Sequence, residues 1–285
     1  MSFAETIVLG AVAGFTIFLG LPFARLPVLG VRSRVCLSMF AVGVLAFLFV
    51  DVLEHAFAIV EHGVEAFKDG DSGFGRPLGL TALLGAGFAA GTAGLATFQR
   101  LKPSGPTRPP IAGGSTEVLD AGSAARLAHE AAAARGRALQ TALIIAIAIG
   151  LHNFAEGLAI GVSASTGEIG LATVLIIGFA LHNATEGFGI VGPLGDVRPS
   201  WRWLALVGVI GGGPTFLGTI VGYHLTSEPL ELLFYSLAGG AILYVIGEVW
   251  NGMRRFGHRE LGLWLVSAGF MVGVITDLVV AYGGG

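Results

Sequence analysis

Two stretches of the chain set metal-binding residue types into surroundings that are otherwise aliphatic. The first reads Gly150-Leu151-His152-Asn153-Phe154-Ala155-Glu156-Gly157, the second Ala180-Leu181-His182-Asn183-Ala184-Thr185-Glu186-Gly187. Residues i, i+3 and i+4 share a helix face, so His152 stacks one turn from Glu156 with Asn153 flanking the acid. His182, Asn183 and Glu186 repeat the pattern. An ionisable group deep in an apolar span costs roughly 2.5–3.5 kcal/mol on insertion scales, so four of them need compensation. Two neighbouring carboxylates in a low dielectric do not both stay charged unless a cation offsets them. A divalent ion does this, and neutral imidazoles add ligands without adding charge. Nitrogen and oxygen donors suit Zn²⁺, Fe²⁺, Co²⁺, Ni²⁺ or Mn²⁺ better than Mg²⁺ or Ca²⁺. The asparagines either border a second ion or hydrogen-bond the acids from behind. A single intramembrane histidine is ordinary polar glue between helices; two copies of His-Asn-x-x-Glu-Gly, each with its costly acid, are not.

The elements that must position these residues are transmembrane helices. The 285-residue chain is 54% hydrophobic and only 12% charged, about half the charge of a soluble domain. Its 46 glycines fit helices whose backbones meet closely in lipid. About 20 apolar residues span a bilayer, and eight runs qualify: Thr6–Leu21, Val35–Val60, Leu78–Phe98, Leu139–Val162, Ile169–Val191, Trp203–Leu225, Leu230–Trp250 and Leu261–Tyr282. Pro22 and Pro27 end the first, and without a basic stretch before it this run is expected to remain as a helix. The single Cys36 excludes a disulfide framework and a cysteine-rich metal site. The fold class expected is all-α, one polytopic membrane domain over residues 1–285 with a loop at 99–136.

Lys and Arg are enriched in cytoplasmic loops. The connections after helices 1, 3, 5 and 7 carry Arg25, Arg32 and Arg34; Arg100, Lys102, Arg108, Arg126, Arg135 and Arg137; Arg198 and Arg202; and Arg254, Arg255 and Arg259. The other side keeps Lys68 and Arg76 among Glu5, Glu61, Glu65, Asp69, Asp71, Glu168, Glu228 and Glu231. Both termini are therefore expected outside. In the long loop, the Pro-rich start from Lys102 to Pro110 reads as a flexible linker, and Ser115 to Arg137 as a short surface helix. Helix 4 then runs outward and helix 5 inward, an inverted repeat of the kind that puts transporter sites near the midplane. Antiparallel pairing sets His152 level with Glu186 and Glu156 level with His182, so that two imidazoles and two carboxylates converge. Gly157 and Gly187 leave room for close approach.

This pair of motifs, on the fourth and fifth of eight helices, resembles the ZIP family of metal transporters, and in particular its bacterial GufA-like branch. The resemblance implies a primary metal site on His152, Glu156, His182 and Glu186, with Asn153 and Asn183 bordering a second site where the family has one. It implies inward movement of Zn²⁺ and related ions, with an elevator-like sliding of helix bundles. Three departures stand out. Ala155 and Thr185 occupy positions before the glutamates where the family often has proline. Gly211-Gly212-Gly213-Pro214 replaces the helix-6 acid of some members, so one tightly held ion is expected. The loop also lacks a histidine cluster.

Outside the motifs, Asp51, Glu54 and His55 in the outer part of helix 2 read as an entrance that concentrates cations. Glu61, His62 and Glu65 continue the acidic series. Glu248, near the inner end of helix 7, reads as an exit or as a partner of Arg254 or Arg255, and Asp277 in helix 8 is open between roles. Trp201, Trp203, Trp250 and Trp264 are interface anchors, and His129 is a solvated loop residue. The function expected is a secondary transporter of divalent transition metals, zinc foremost, working by alternating access in the cell inner membrane. It is expected to need no organic cofactor and to take metal ions and the lipid bilayer, but no nucleic acid, as partners; dimerisation is left open. The rivals are a membrane-embedded metallohydrolase, which would need a free base beside the metal, and a metal-selective channel.

Overall fold

The computed structural model describes residues 1–26, 31–101, 121–167, 169–224, 227–253 and 259–282. Glu168, Lys102, Arg108, Arg254 and Arg255, together with the linker Lys102–Pro110, lie outside them. The described residues form helices and no strand: α1 (Phe3–Phe15), α2 (Val31–Lys68), α3 (Gly75–Leu101), α4 (Ala121–Ser165), α5 (Ile169–Val191), α6 (Trp201–His224), α7 (Glu228–Met253) and α8 (Arg259–Tyr282). Among the described residues, seven segments are long and apolar enough to cross a membrane. α5, with 23 residues rising about 1.5 Å each, reaches as far as the hydrocarbon layer is thick. This is an all-α, multi-pass membrane protein. Its outer surface carries Val8, Leu19, Val50, Leu78, Val209 and Leu217, each more than half exposed, which water would not tolerate as a belt.

The first span departs from a plain helix. Ser2 and Glu5 form a reciprocal cap at its start, but α-helix stops at Phe15 and two 3₁₀ segments, Thr16–Leu19 and Leu21–Arg25, carry the chain onward. A 3₁₀ turn rises about 2 Å per residue rather than 1.5 Å, so the shortest apolar run still crosses. Helix α4 differs the other way. Instead of a separate surface helix, residues from Ala121 onward continue without a break into the membrane span, a single helix of 45 residues. The Ala-rich sequence there contains nothing that would stop a helix.

Packing sorts the helices into two bodies. α4 packs chiefly on α6, and α1 and α5 join this pair; α2 packs on α8 and α7, and α3 on α7. Within each body, glycines let backbones touch. A Cβ on Gly218 would stand 3.0 Å from the Leu158 nitrogen, and one on Gly222 2.9 Å from the Leu158 carbonyl carbon, locking α6 to α4. Gly240 against Thr92, and Gly269 against Val44, do the same for α7–α3 and α8–α2. Between the bodies, contacts run through α4–α7, α2–α5 and α5–α8.

Contacts between helix ends gather them into groups. Arg76 and His62 both meet Glu228, at 2.6 and 3.8 Å, which gathers the ends of α2, α3 and α7. Phe3 packs on Tyr223 and His224, bringing α1's start to α6's end. On the opposite side Arg25 lies over the Trp201 ring and donates to the Pro199 carbonyl.

Candidate metal site

Both motifs lie on uninterrupted helix, and α4 is followed by a turn at Gly167, whose φ of +88° suits glycine. His152, Asn153, Glu156, His182, Asn183 and Glu186 are all buried, none more than 6% exposed. The glycine after each acid marks where a neighbouring backbone crosses. A Cβ on Gly157 would lie 2.9 Å from the Thr215 carbonyl carbon in α6, and one on Gly187 would lie 2.8 Å from the Gly20 Cα. Local sequence thus puts each carboxylate directly beside a third helix.

One imidazole and two carboxylates converge. His152 Nε2 is 3.0 Å from Glu156 Oε1, in its own helix, and 4.0 Å from Glu186 Oε1 across the pair. The expected level pairing of His152 with Glu186 is therefore present. The reciprocal contact is different: His182 is turned toward α8, its Nε2 2.7 Å from Thr276 Oγ1, with the Phe47 ring beside it. α5 touches both α2 and α8, so its histidine faces the other body while its glutamate faces α4. As they stand, no three His, Cys, Asp or Glu side chains among the described residues form a ready ligand set.

The asparagines serve the acids and the helices. The Asn153 amide donates to Asn183 Oδ1 at 2.6 Å, to the Gly211 carbonyl at 3.0 Å and to Glu186 Oε2 at 3.1 Å, two hydrogens shared among three acceptors. Asn183 donates to the Ala13 carbonyl at 3.1 Å, in the last turn of α1, where carbonyls run out of intrahelical donors. The Gly211–Gly213 run of α6 thus contributes a bare backbone oxygen. Thr276 and these two carbonyls were not visible from motif spacing. Backbone acceptors leave no mark on residue type, and Thr276 lies 94 residues from His182.

What remains unpaired defines the chemistry. His152 Nδ1 and Nε2, Asn153 Oδ1, Glu156 Oε2, His182 Nδ1 and Glu186 Oε1 are all buried without a hydrogen-bond partner. The 3.0 Å approach of His152 to Glu156 is an ion-pair distance without hydrogen-bond alignment. Orphaned buried polar atoms cost about 1–3 kcal/mol each, and most of these carry lone pairs, so a cation is the species that would satisfy them together.

Residues 110–246, which contain both motifs, match the family model described as ZIP Zinc transporter. The chain is 30% identical over 146 residues to Zinc transporter ZupT of Clostridium perfringens, covering 50% of this chain and 51% of that protein. It is 31% identical over 148 residues to Zinc transporter GufA of Myxococcus xanthus, covering 50% and 58%. With Zinc transporter ZIPB of Bordetella bronchiseptica it shares 28% identity over 140 residues, 47% of this chain and 44% of that one. The chain spans about half the length of the curated relatives it matches.

Around this site the other polar residues divide. Asp51 is half-buried and close enough to His152 and Asp277 to interact with both electrostatically. His55 Nδ1 contacts the Asp51 carbonyl at 2.9 Å, and its ring stacks on Tyr235 of α7. Glu54 points elsewhere, lining a cavity of about 510 Å³ with Glu61, Phe49, Leu53 and Phe57. The three residues read as an entrance therefore face two directions. Glu248 is half-buried in a tight crevice between α4 and α7, against Thr141, Ile145 and Tyr244.

Proposed function

We propose that this protein is a secondary transporter that carries divalent transition-metal ions, zinc foremost, across the cell membrane into the cytoplasm. The observation that carries this reading is the buried group His152, Glu156 and Glu186, with its unpaired lone pairs, within two membrane-spanning helices. Nitrogen and oxygen donors of that kind favour zinc-like ions. A site between membrane-spanning helices serves passage rather than storage. The zinc-transporter names of the related proteins support the same cargo.

In this reading the ion enters past Asp51 and sheds water as it meets His152, Glu156 and Glu186. Asn153 holds the Glu186 carboxylate in place from behind. His182 completes the set from α5, and Asn183 ties that helix to α1. Glu248 then receives the ion toward the cytoplasmic side. The two helix bodies slide past each other to alternate access, the resident membrane being the cell's inner one and both termini lying outside. A metallohydrolase would need a base not committed to the metal, and both carboxylates here are within the ligand group.

The test is uptake of radioactive zinc by proteoliposomes. Glu156→Ala and Glu186→Ala are each expected to cut saturable uptake to background, while the protein remains folded by size-exclusion profile. Wild-type rates in both variants would overturn the proposal, and non-saturating flux in the wild type would favour a channel.

A further inference from the structure

We infer that Thr276, in α8, is the positioning residue for His182: it fixes the ring's tautomer so that Nδ1, not Nε2, presents a lone pair to the transported ion. The inference rests on the proposed metal-ligand role of His182 and deepens it.

Thr276 has one hydroxyl proton. That proton is directed at its own helix, with Oγ1 2.7 Å from the Gly273 carbonyl and 3.1 Å from the Val272 carbonyl. Threonine commonly bonds back to the preceding turn in this way. With its proton committed, Oγ1 can only accept from His182 Nε2 at 2.7 Å, so Nε2 carries the hydrogen. In a neutral imidazole the other nitrogen is then a bare acceptor. His182 Nδ1 is that atom, and it is buried with no partner. Metal-binding histidines ordinarily donate their second ring nitrogen to an oxygen, which sets tautomer and orientation. The His182–Thr276 pair already has that form, and Phe47 flanks the ring at a centroid distance of 6.1 Å.

The pair also joins the two bodies, since α5 belongs with α4 and α6 whereas α8 packs on α2. A helix of the opposite body thus prepares the ligand. The set is fully oriented only where α5 and α8 are in this register, and it loosens when they slide.

The experiment is calorimetric titration of the purified protein with Zn²⁺, using Thr276→Val, Thr276→Ser and His182→Ala alone and with Thr276→Val. Thr276→Val removes the acceptor and keeps the shape; it is expected to weaken zinc binding about 10–100-fold, the range for loss of such a partner. Thr276→Ser is expected to bind like wild type. In the His182→Ala background, Thr276→Val is expected to change nothing further, because a residue acting through His182 has no separate effect. Nitrogen-15 NMR of histidine-labelled protein supplies a second readout, the Nε2–H tautomer being lost in Thr276→Val. Zinc binding by Thr276→Val equal to or tighter than wild type would overturn the inference, since Nε2 would then be the ligand and Thr276 its competitor. Equal loss with and without His182 would overturn it too, as a merely structural effect. If His182→Ala itself binds zinc normally, the ligand role of His182 fails instead, which Glu156→Ala and Glu186→Ala check independently.

Discussion

At the scale of residues, the site depends on which polar atoms are committed and which are free. Asn153 has its amide hydrogens spent on Asn183, Gly211 and Glu186, so it reads as the brace of the carboxylate rather than as an ion's main ligand. Asn153→Leu, close in size, removes the brace from Glu186 and leaves the Asn183 and Gly211 oxygens without a donor. It is expected to destabilise the protein by about 2–4 kcal/mol, since each orphaned buried group costs about 1–3 kcal/mol; thermal unfolding in detergent measures this, and an unchanged midpoint would remove the brace. His182→Ala is expected to lower zinc affinity while leaving one ion bound. Metal analysis with a binding titration checks both numbers, and unchanged affinity would take His182 out of the ligand set. The residue types were legible in the sequence because acids inside an aliphatic run are too costly to be accidental. Rotamers were not: His182 turns to Thr276 because α8 happens to pass there.

At the scale of elements, glycines decide which helices lie backbone against backbone. Where a Cβ would meet a neighbouring backbone, as at Gly218 against Phe154 and Leu158, only glycine fits. Gly218→Val is expected to separate α4 from α6 and to cost more than the about 1–3 kcal/mol of ordinary overpacking, because rigid backbone rather than a mobile side chain must yield. Gly85 in α3 meets nothing within 4 Å, and Gly85→Val is expected to leave the unfolding temperature nearly unchanged. Equal behaviour of the two variants would refute the distinction. The composition advertised close packing through its glycines, but it gave no means of sorting the Gly85 kind from the Gly218 kind. Likewise the conversion of the first span to 3₁₀ beyond Phe15 left no trace in hydropathy, which counts apolar residues and not rise per residue. The Arg76–Glu228 pair, with both partners about a third exposed, is worth at most about 1 kcal/mol, so Arg76→Ala is expected to change stability little.

At the scale of the whole molecule, two glycine-locked bodies meet along an interface of side chains. A Cβ on Gly189 of α5 would lie 3.6 Å from the Ala41 Cβ of α2, within the about 3.5–4.5 Å that a disulfide spans. Ala41→Cys with Gly189→Cys, in a Cys36→Ser background, therefore offers a staple between the bodies. Oxidation is expected to stop zinc uptake while zinc binding persists, and reduction to restore uptake. Full uptake by the oxidised, stapled protein would show that these two bodies need not move relative to each other.

The sequence by itself determined the membrane class and the two polar helices, because bilayer insertion acts on composition residue by residue. It also determined that His152 and Glu186 should meet, since an antiparallel hairpin of two identical motifs leaves little choice. Only the tertiary structure decided that His182 leans on Thr276, that Gly211 and Ala13 lend backbone oxygens to the asparagines, and that the eight α-helices of the described residues divide four and four. Those outcomes depend on distances between segments far apart in the chain, and on which side of a helix a third helix crosses. Spacing along a single sequence does not encode either.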